Sequence, residues 1–385
     1  MRRAHAQLGS LALLALGYAW IPHAQSAPPA MANASGSASV AGFATALEPR
    51  RFEFPLDHGP HPAFRQEWWY VTGNLDAANG ERFGFELTFF RVALVPAQAP
   101  SPVTAPAATA APASAWRTRE IYLAHFAVSD VPRRRFRSEQ KLSRAALGLA
   151  GAEALPLHVW LDDWSLEARG PTWQLRATQP GYAIELALEP QSAPVLNGID
   201  GLSRKSDRPE DATYYYSIPR LLVRGHLLRD GQPLEVRGLA WLDREWGSGG
   251  LGPRELGWDW FGLQLDDGSA LMFYALRDKS GARDVHSAGS WVAADGTARA
   301  LSNAEVGIAV TRDWRSASGE PYPAGWRIRV PALALDLTVR PALADQELQT
   351  TPRYWEGAVD VSGERGGASL GGRGYVELVG YAQER

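Results

Sequence analysis

The stretch LLVRGHLLRDGQPLEVRGLAWL, residues 221–242, decides the fold. Two apolar runs, Leu221 to Leu228 and Leu234 to Leu242, flank Asp230-Gly231. Asp-Gly tolerates the positive φ angles of a tight hairpin turn, so the stretch reads as two antiparallel strands. The same pattern recurs at Phe261 to Leu265 and Ala270 to Leu276 around Asp267-Gly268. It recurs again at Trp164 to Ala168 and Thr172 to Ala177 around Gly170-Pro171. Upstream, Phe83, Phe85, Leu87 and Phe89 share one phase, and Arg82, Gly84, Glu86 and Thr88 share the other. Successive side chains on a strand face opposite ways, so this is a half-buried strand. Trp326 to Val330, Leu335 to Val339, Trp355 to Val361 and Tyr375 to Leu378 continue the series, and no amphipathic helix of three turns interrupts it. Many short antiparallel strands mean barrels or sandwiches, and closing a sheet can enclose a ligand cavity.

At 385 residues the chain is expected to hold two domains. A hydrophobic content of 45% excludes a wholly disordered chain. A formal net charge of −3 leaves no footprint for a polyanion, which argues against nucleic acid. The 15 tryptophans suit a Trp-rich β core or an aromatic pocket. The absence of cysteine excludes disulfides, thiolate metal sites and a lipid-anchored cysteine. Arg2 and Arg3, the apolar run Leu8 to Ile21 and the small residues Ala24 to Ala27 read as a signal peptide over 1–26. Export to the periplasm is expected, with 27–49 as a flexible leader. The Ala, Pro and Thr-rich stretch Pro96 to Ser114 is expected to form a surface loop, and Ser203 to Ala212 a polar one.

Familiar catalytic signatures are missing. There is no phosphate-cradling loop with lysine, no HExxH and no Gly-x-Ser-x-Gly. The 8 histidines do not cluster at metal-ligand spacing, so neither a metal nor a cofactor is expected. Three aromatic and acidic segments remain: QEWWYVTGNL at 66–75, YYYSIPR at 214–220, and WLDREWG at 241–247 followed by GWDWFG at 257–262. On a strand, Trp241, Asp243 and Glu245 point one way, and Leu242 and Arg244 the other. An acid among large aromatics is costly unless paired or protonated, and with a raised pKa it can serve as an acid. The plainer alternative is that Asp243 or Glu67 pairs with Arg91, Arg220 or Arg244 and pins the barrel. Ligand contacts are expected from Glu67, Trp68, Trp69, Tyr70, His125, Trp246, Trp258 and Trp260.

A resemblance rests on these segments. EWWYVTGNL at 67–75, FGFELTFFR at 83–91, AHFAVSD at 124–130 and YYYSIPRL at 214–221 carry its first half. GLAWLDREWGS at 238–248, GWDWFGLQLDDG at 257–268, YWEGAVDVSG at 354–363 and GRGYVELVGY at 372–381 carry its second. In these the chain resembles the AttH-like / hydroxyneurosporene synthase (carotenoid 1,2-hydratase) family. The resemblance implies an all-β fold of two lipocalin-like antiparallel β-barrel domains, placed here at 50–248 and 249–385. Such hydratases add water to a terminal C=C bond of an acyclic carotenoid. For this chain that implies Asp243 as general acid, with Trp241, Tyr214 and Tyr216 steadying the carbocation. Aromatic faces stabilise a cation by about 0.5–2 kcal/mol each. Asp243 is therefore expected to face a cavity lined by Trp241, Trp69, Tyr214 and Tyr216. Three functions follow: a binder of a long apolar ligand, lipid or polyene; a hydro-lyase acting on such a ligand; or a scaffold for an envelope ABC transporter. Peripheral membrane contact would suit any of them.

Overall fold

A computed structural model describes residues 42–97, 118–252, 254–317 and 319–381. The expected signal peptide, most of the leader and nearly all of the Pro96 to Ser114 stretch lie outside the described residues. Two large antiparallel sheets form the molecule. The first runs from Gln66–Ala77 to Gln232–Gly247, and the second from Glu255–Leu265 to Ala368–Leu378. Helix is confined to three short 3-10 turns among the described residues. The first sheet curls into a nearly closed barrel and the second into a half-barrel, as an all-β reading requires.

The hairpins form where the turn chemistry places them. Asp230 and Gly231 both take positive φ, at 54° and 79°, between Ala212–Arg229 and Gln232–Gly247. Gly268 takes φ 91° in the turn after Glu255–Leu265, where the Asp267 side chain accepts the Ser269 N–H at 2.9 Å.

Strand phase then decides what each face meets. Trp69, Val71 and Leu75, with Phe83, Phe85, Leu87 and Phe89 on the next strand, fill the first barrel. Tyr214, Tyr216, Leu242, Trp246 and Trp164 join them, leaving that interior packed with side chains. Burying one such side chain is worth about 1.5–3 kcal/mol, so a solid core here is the favourable outcome. A charged knot closes the barrel's end. The Glu67 carboxylate accepts hydrogen bonds from both Arg91 and Arg244, and all three side chains are buried. The Arg244 guanidinium lies 3.8 Å over the Trp69 ring, and His61 stacks on Trp246 with centroids 3.7 Å apart. Burial opposes ionisation of Glu67, but the two arginines outweigh it and hold the carboxyl well below the usual range.

The opposite faces of the two sheets meet each other. Tyr70, Tyr215 and Trp241 of the first sheet pack with Trp260, Met272, Tyr274 and Tyr375 of the second. Cross-sheet hydrogen bonds fix the contact: Tyr70 donates to Glu356 at 2.6 Å, and Gln264 to the carbonyls of Pro219 and Ala240 at 2.7 and 2.9 Å. Among the described residues Arg220 forms no salt bridge; it donates to the carbonyls of Leu265, Gly268 and Ser269 in the facing hairpin.

Candidate active site

A cavity of about 500 Å³ opens between the two sheets, not inside a barrel. Its walls carry Trp68, Tyr70, Phe90, Trp258 and Trp260, with Asp243, Glu245, Lys205, His125 and Glu377 among the polar groups. Cavities of this size class enclose most of a drug-sized molecule.

The register explains who faces whom. Asp243 sits opposite Tyr70 on one neighbouring strand and Ser217 on the other. Residues opposite each other on paired strands share a face, so Asp243 points at the second sheet with them. Its carboxylate accepts hydrogen bonds from Tyr215 Oη at 2.5 Å, Ser217 Oγ at 2.5 Å and Trp241 Nε1 at 2.6 Å. Tyr215 in turn accepts from Trp260 Nε1 at 3.1 Å. No salt bridge reaches Asp243 among the described residues. Burial raises its pKa, the three donors pull it back, and the balance stands at about 7.

The Lys205 ammonium group in the wall is spoken for. Lys205 Nζ lies 3.1 Å from Glu245, which also accepts from Thr213, and donates to Ser203 at 3.0 Å. Burial works against the charge on Lys205, but Glu245 overcomes it and raises the pKa. From the facing sheet, Glu377 accepts from Trp258 Nε1 at 2.9 Å. Part of its surface opens on the cavity, yet loss of water around the carboxyl pushes it up to about 7, with Asp243 and Glu245 adding repulsion. Glu86 and Glu356 are fully buried between the sheets. Desolvation lifts both well above the ordinary carboxyl range.

One glycine shapes the wall. At Gly262 a Cβ would come 2.3 Å from the Trp260 ring, so the indole can lie flat along its own strand only because no side chain stands there.

Several expected site residues are elsewhere. Trp69, Tyr214, Tyr216 and Trp246 belong to the barrel interior, because their phase is opposite to that of Asp243. Glu67 is the centre of the arginine knot, so the plainer ion-pair reading holds for Glu67 and not for Asp243. Trp241 touches Asp243 by its indole N–H, but the cavity wall is made by other residues. Trp68, Tyr70, His125, Trp258, Trp260 and Asp243 do line the cavity. Sequence reasoning missed Tyr215, Ser217, Lys205, Tyr274 and Glu377. In a run of three tyrosines composition cannot choose a face; pairing Ser217 with Asp243 selects Tyr215.

A family model described as AttH-like matches residues 45–381. A crystal structure of a protein of Nitrosomonas europaea, described as an AttH, is 35% identical, with a TM-score of 0.77 over 88% of this chain and 100% of that one. Dehydratase asqC of Emericella nidulans is 22% identical over 225 residues, which cover 54% of this chain and 61% of that protein. The chain thus spans less than two thirds of the length of that curated relative. Kievitone hydratase from Nectria haematococca shares the fold, with a TM-score of 0.65 at 15% identity over 89% of this chain and 96% of that one.

Proposed function

The chain belongs to the AttH-like family, and from that premise we propose that it is a hydro-lyase, adding water to or removing it from an apolar molecule held between the two sheets. One observation carries the reading: Asp243 is a carboxyl that forms no salt bridge among the described residues, poised near neutrality in an aromatic-walled cavity. In dehydration the protonated carboxyl gives its proton to a substrate hydroxyl, and the C–O bond breaks with its electron pair, releasing water. The carbocation then loses a proton from the neighbouring carbon, and that C–H pair becomes the double bond. The Asp243 carboxylate or Glu377 takes this proton. Hydration is the reverse, with the proton delivered to an alkene carbon and water adding to the cation. Trp68, Trp258 and Trp260 take the cation-facing role first expected of Tyr214 and Tyr216.

The names of the Emericella dehydratase and the Nectria hydratase support this class of reaction. A carotenoid would fit the same chemistry with one end in the cavity and its tail outside. A binder without turnover would use the same walls. Incubation with a panel of apolar tertiary alcohols and alkenes in water labelled with heavy oxygen separates the two. Label appearing in the alcohols supports the hydro-lyase; tight binding of the panel with no label in any member leaves only a binder.

Two pH effects follow from Asp243 and Glu377. Turnover needs the proton on Asp243, so kcat/KM is expected to fall about tenfold per pH unit above about pH 7. A profile flat to about pH 9 would contradict this. Stability moves in the same direction. Free carboxyls titrate near 3.8 for Asp and 4.5 for Glu, and in the folded chain Asp243 and Glu377 stand at about 7. Between these limits the folded chain holds protons that the unfolded chain has lost, so these two groups make stability fall as pH rises through the window. His58 and His125 act the other way below the ordinary imidazole value, because the fold holds both neutral with pKa values of about 4 and 3. The two effects separate by substitution: the urea midpoint is expected to change less favourably from about pH 5 to pH 8 in the wild type than in Asp243→Asn, and an equal change in both would contradict the raised Asp243 pKa.

A further inference from the structure

One rung of the first sheet crosses the cavity wall. Asp243 is in register with Tyr70, Tyr70 with Thr88, and Thr88 with His125, so four neighbouring strands present these side chains on one face. At a strand spacing of about 4.8 Å, His125 lies roughly 14 Å along the sheet from Asp243. Asp243, Tyr70, Thr88 and His125 all line the cavity.

The far end of this rung holds two unused polar atoms. Among the described residues His125 Nε2 and Thr88 Oγ1 make no well-formed hydrogen bond, with Gln140 and the Glu86 carboxyl as their polar neighbours, although both side chains are almost completely buried, at 1% exposure. Burying a polar group without a partner costs about 1–3 kcal/mol, so a ligand that satisfies both is favoured. The tautomer follows from the other ring nitrogen. Nδ1 lies 2.7 Å from Tyr354 Oη, and that hydroxyl has no other acceptor among the described residues. Tyr354 therefore donates to Nδ1, which leaves the ring proton on Nε2 of this cavity-lining residue. Burial holds the imidazole neutral, with its pKa near 3 against the opposing effect of Gln140, whose carbonyl oxygen is engaged by the Thr351 N–H at 2.7 Å.

We infer that Thr88 and His125 form a subsite for a substrate oxygen, so that the ligand is an oxygenated apolar molecule, with a carbonyl or hydroxyl held about 14 Å from the atom facing Asp243, and not a plain hydrocarbon. This rests on the reading of the cavity as the substrate site. It does not depend on turnover.

Binding of methyl nonyl ketone and of undecane tests it, followed through the fluorescence of the wall tryptophans. The wild-type protein is expected to bind the ketone about tenfold tighter than the alkane, the worth of one or two hydrogen bonds. His125→Leu and Thr88→Val should each remove most of that preference, read as the ratio of ketone to alkane affinity, while Asp243→Asn keeps it. Thermal melting of each variant identifies misfolding, and two independent variants guard against one failing to fold. Equal affinity for the two probes in the wild type would mean that water satisfies the two atoms, and would overturn the subsite. So would a preference that survives in both folded variants. Absence of binding by either probe overturns the subsite together with the cavity reading beneath it, whereas ketone preference without turnover overturns only the hydro-lyase.

Discussion

Asp243→Asn lowers turnover by about 10²–10⁴-fold while the melting temperature stays close to that of the wild type. The amide keeps the size of the carboxyl and can still accept from Ser217, Tyr215 or Trp241. It cannot deliver a proton. Because Asp243 is not half of an ion pair, the substitution strands no buried cation, and Lys205 keeps Glu245. Binding of an apolar probe is likewise retained. Differential scanning fluorimetry beside the labelled-water assay reads both quantities on one preparation. A variant that keeps its activity removes Asp243 from the chemistry. One that melts many degrees lower makes it a structural group.

Glu67→Ala acts in the opposite way. It leaves the Arg91 and Arg244 guanidinium groups buried and uncompensated at the barrel's end. Breaking a buried pair by removing one partner costs about 3–5 kcal/mol. At this chain length that corresponds to a fall in melting temperature of roughly 4–6 °C. Folded material at low temperature should retain the cavity, because Glu67 and the cavity lie on opposite faces of the sheet. A melting temperature within about 1 °C of the wild type would show that the knot contributes nothing net.

These two residues show what was legible in the sequence. The alternation in FGFELTFF and the Asp-Gly turns place strands and hairpins, because both depend on local chemistry. The shared face of Trp241, Asp243 and Glu245 follows from the same period. Which face looks inward does not. Both faces of Gln66–Ala77 are almost wholly buried, one in the barrel and one against the second sheet. A strand buried on both sides carries no polar phase, so Trp68 and Trp69 look equivalent in the sequence, as do Tyr214, Tyr215 and Tyr216. Register across strands distant in sequence breaks the tie, and single-chain reading does not supply it. Lys205 and Glu377 were hidden for a related reason. One lies in what reads as a polar loop, the other on the strand Ala368–Leu378, more than a hundred residues after Asp243, and only the packing of the two sheets brings them to one cavity.

The claim on which the account turns is that Asp243 holds a proton near neutral pH. Infrared difference spectra, wild type minus Asp243→Asn, measure it directly as pH is varied. A protonated-carboxyl C=O band is expected at about pH 5–6, disappearing with a midpoint near 7 as carboxylate bands replace it. Carboxylate bands alone, persisting down to about pH 4, would contradict it.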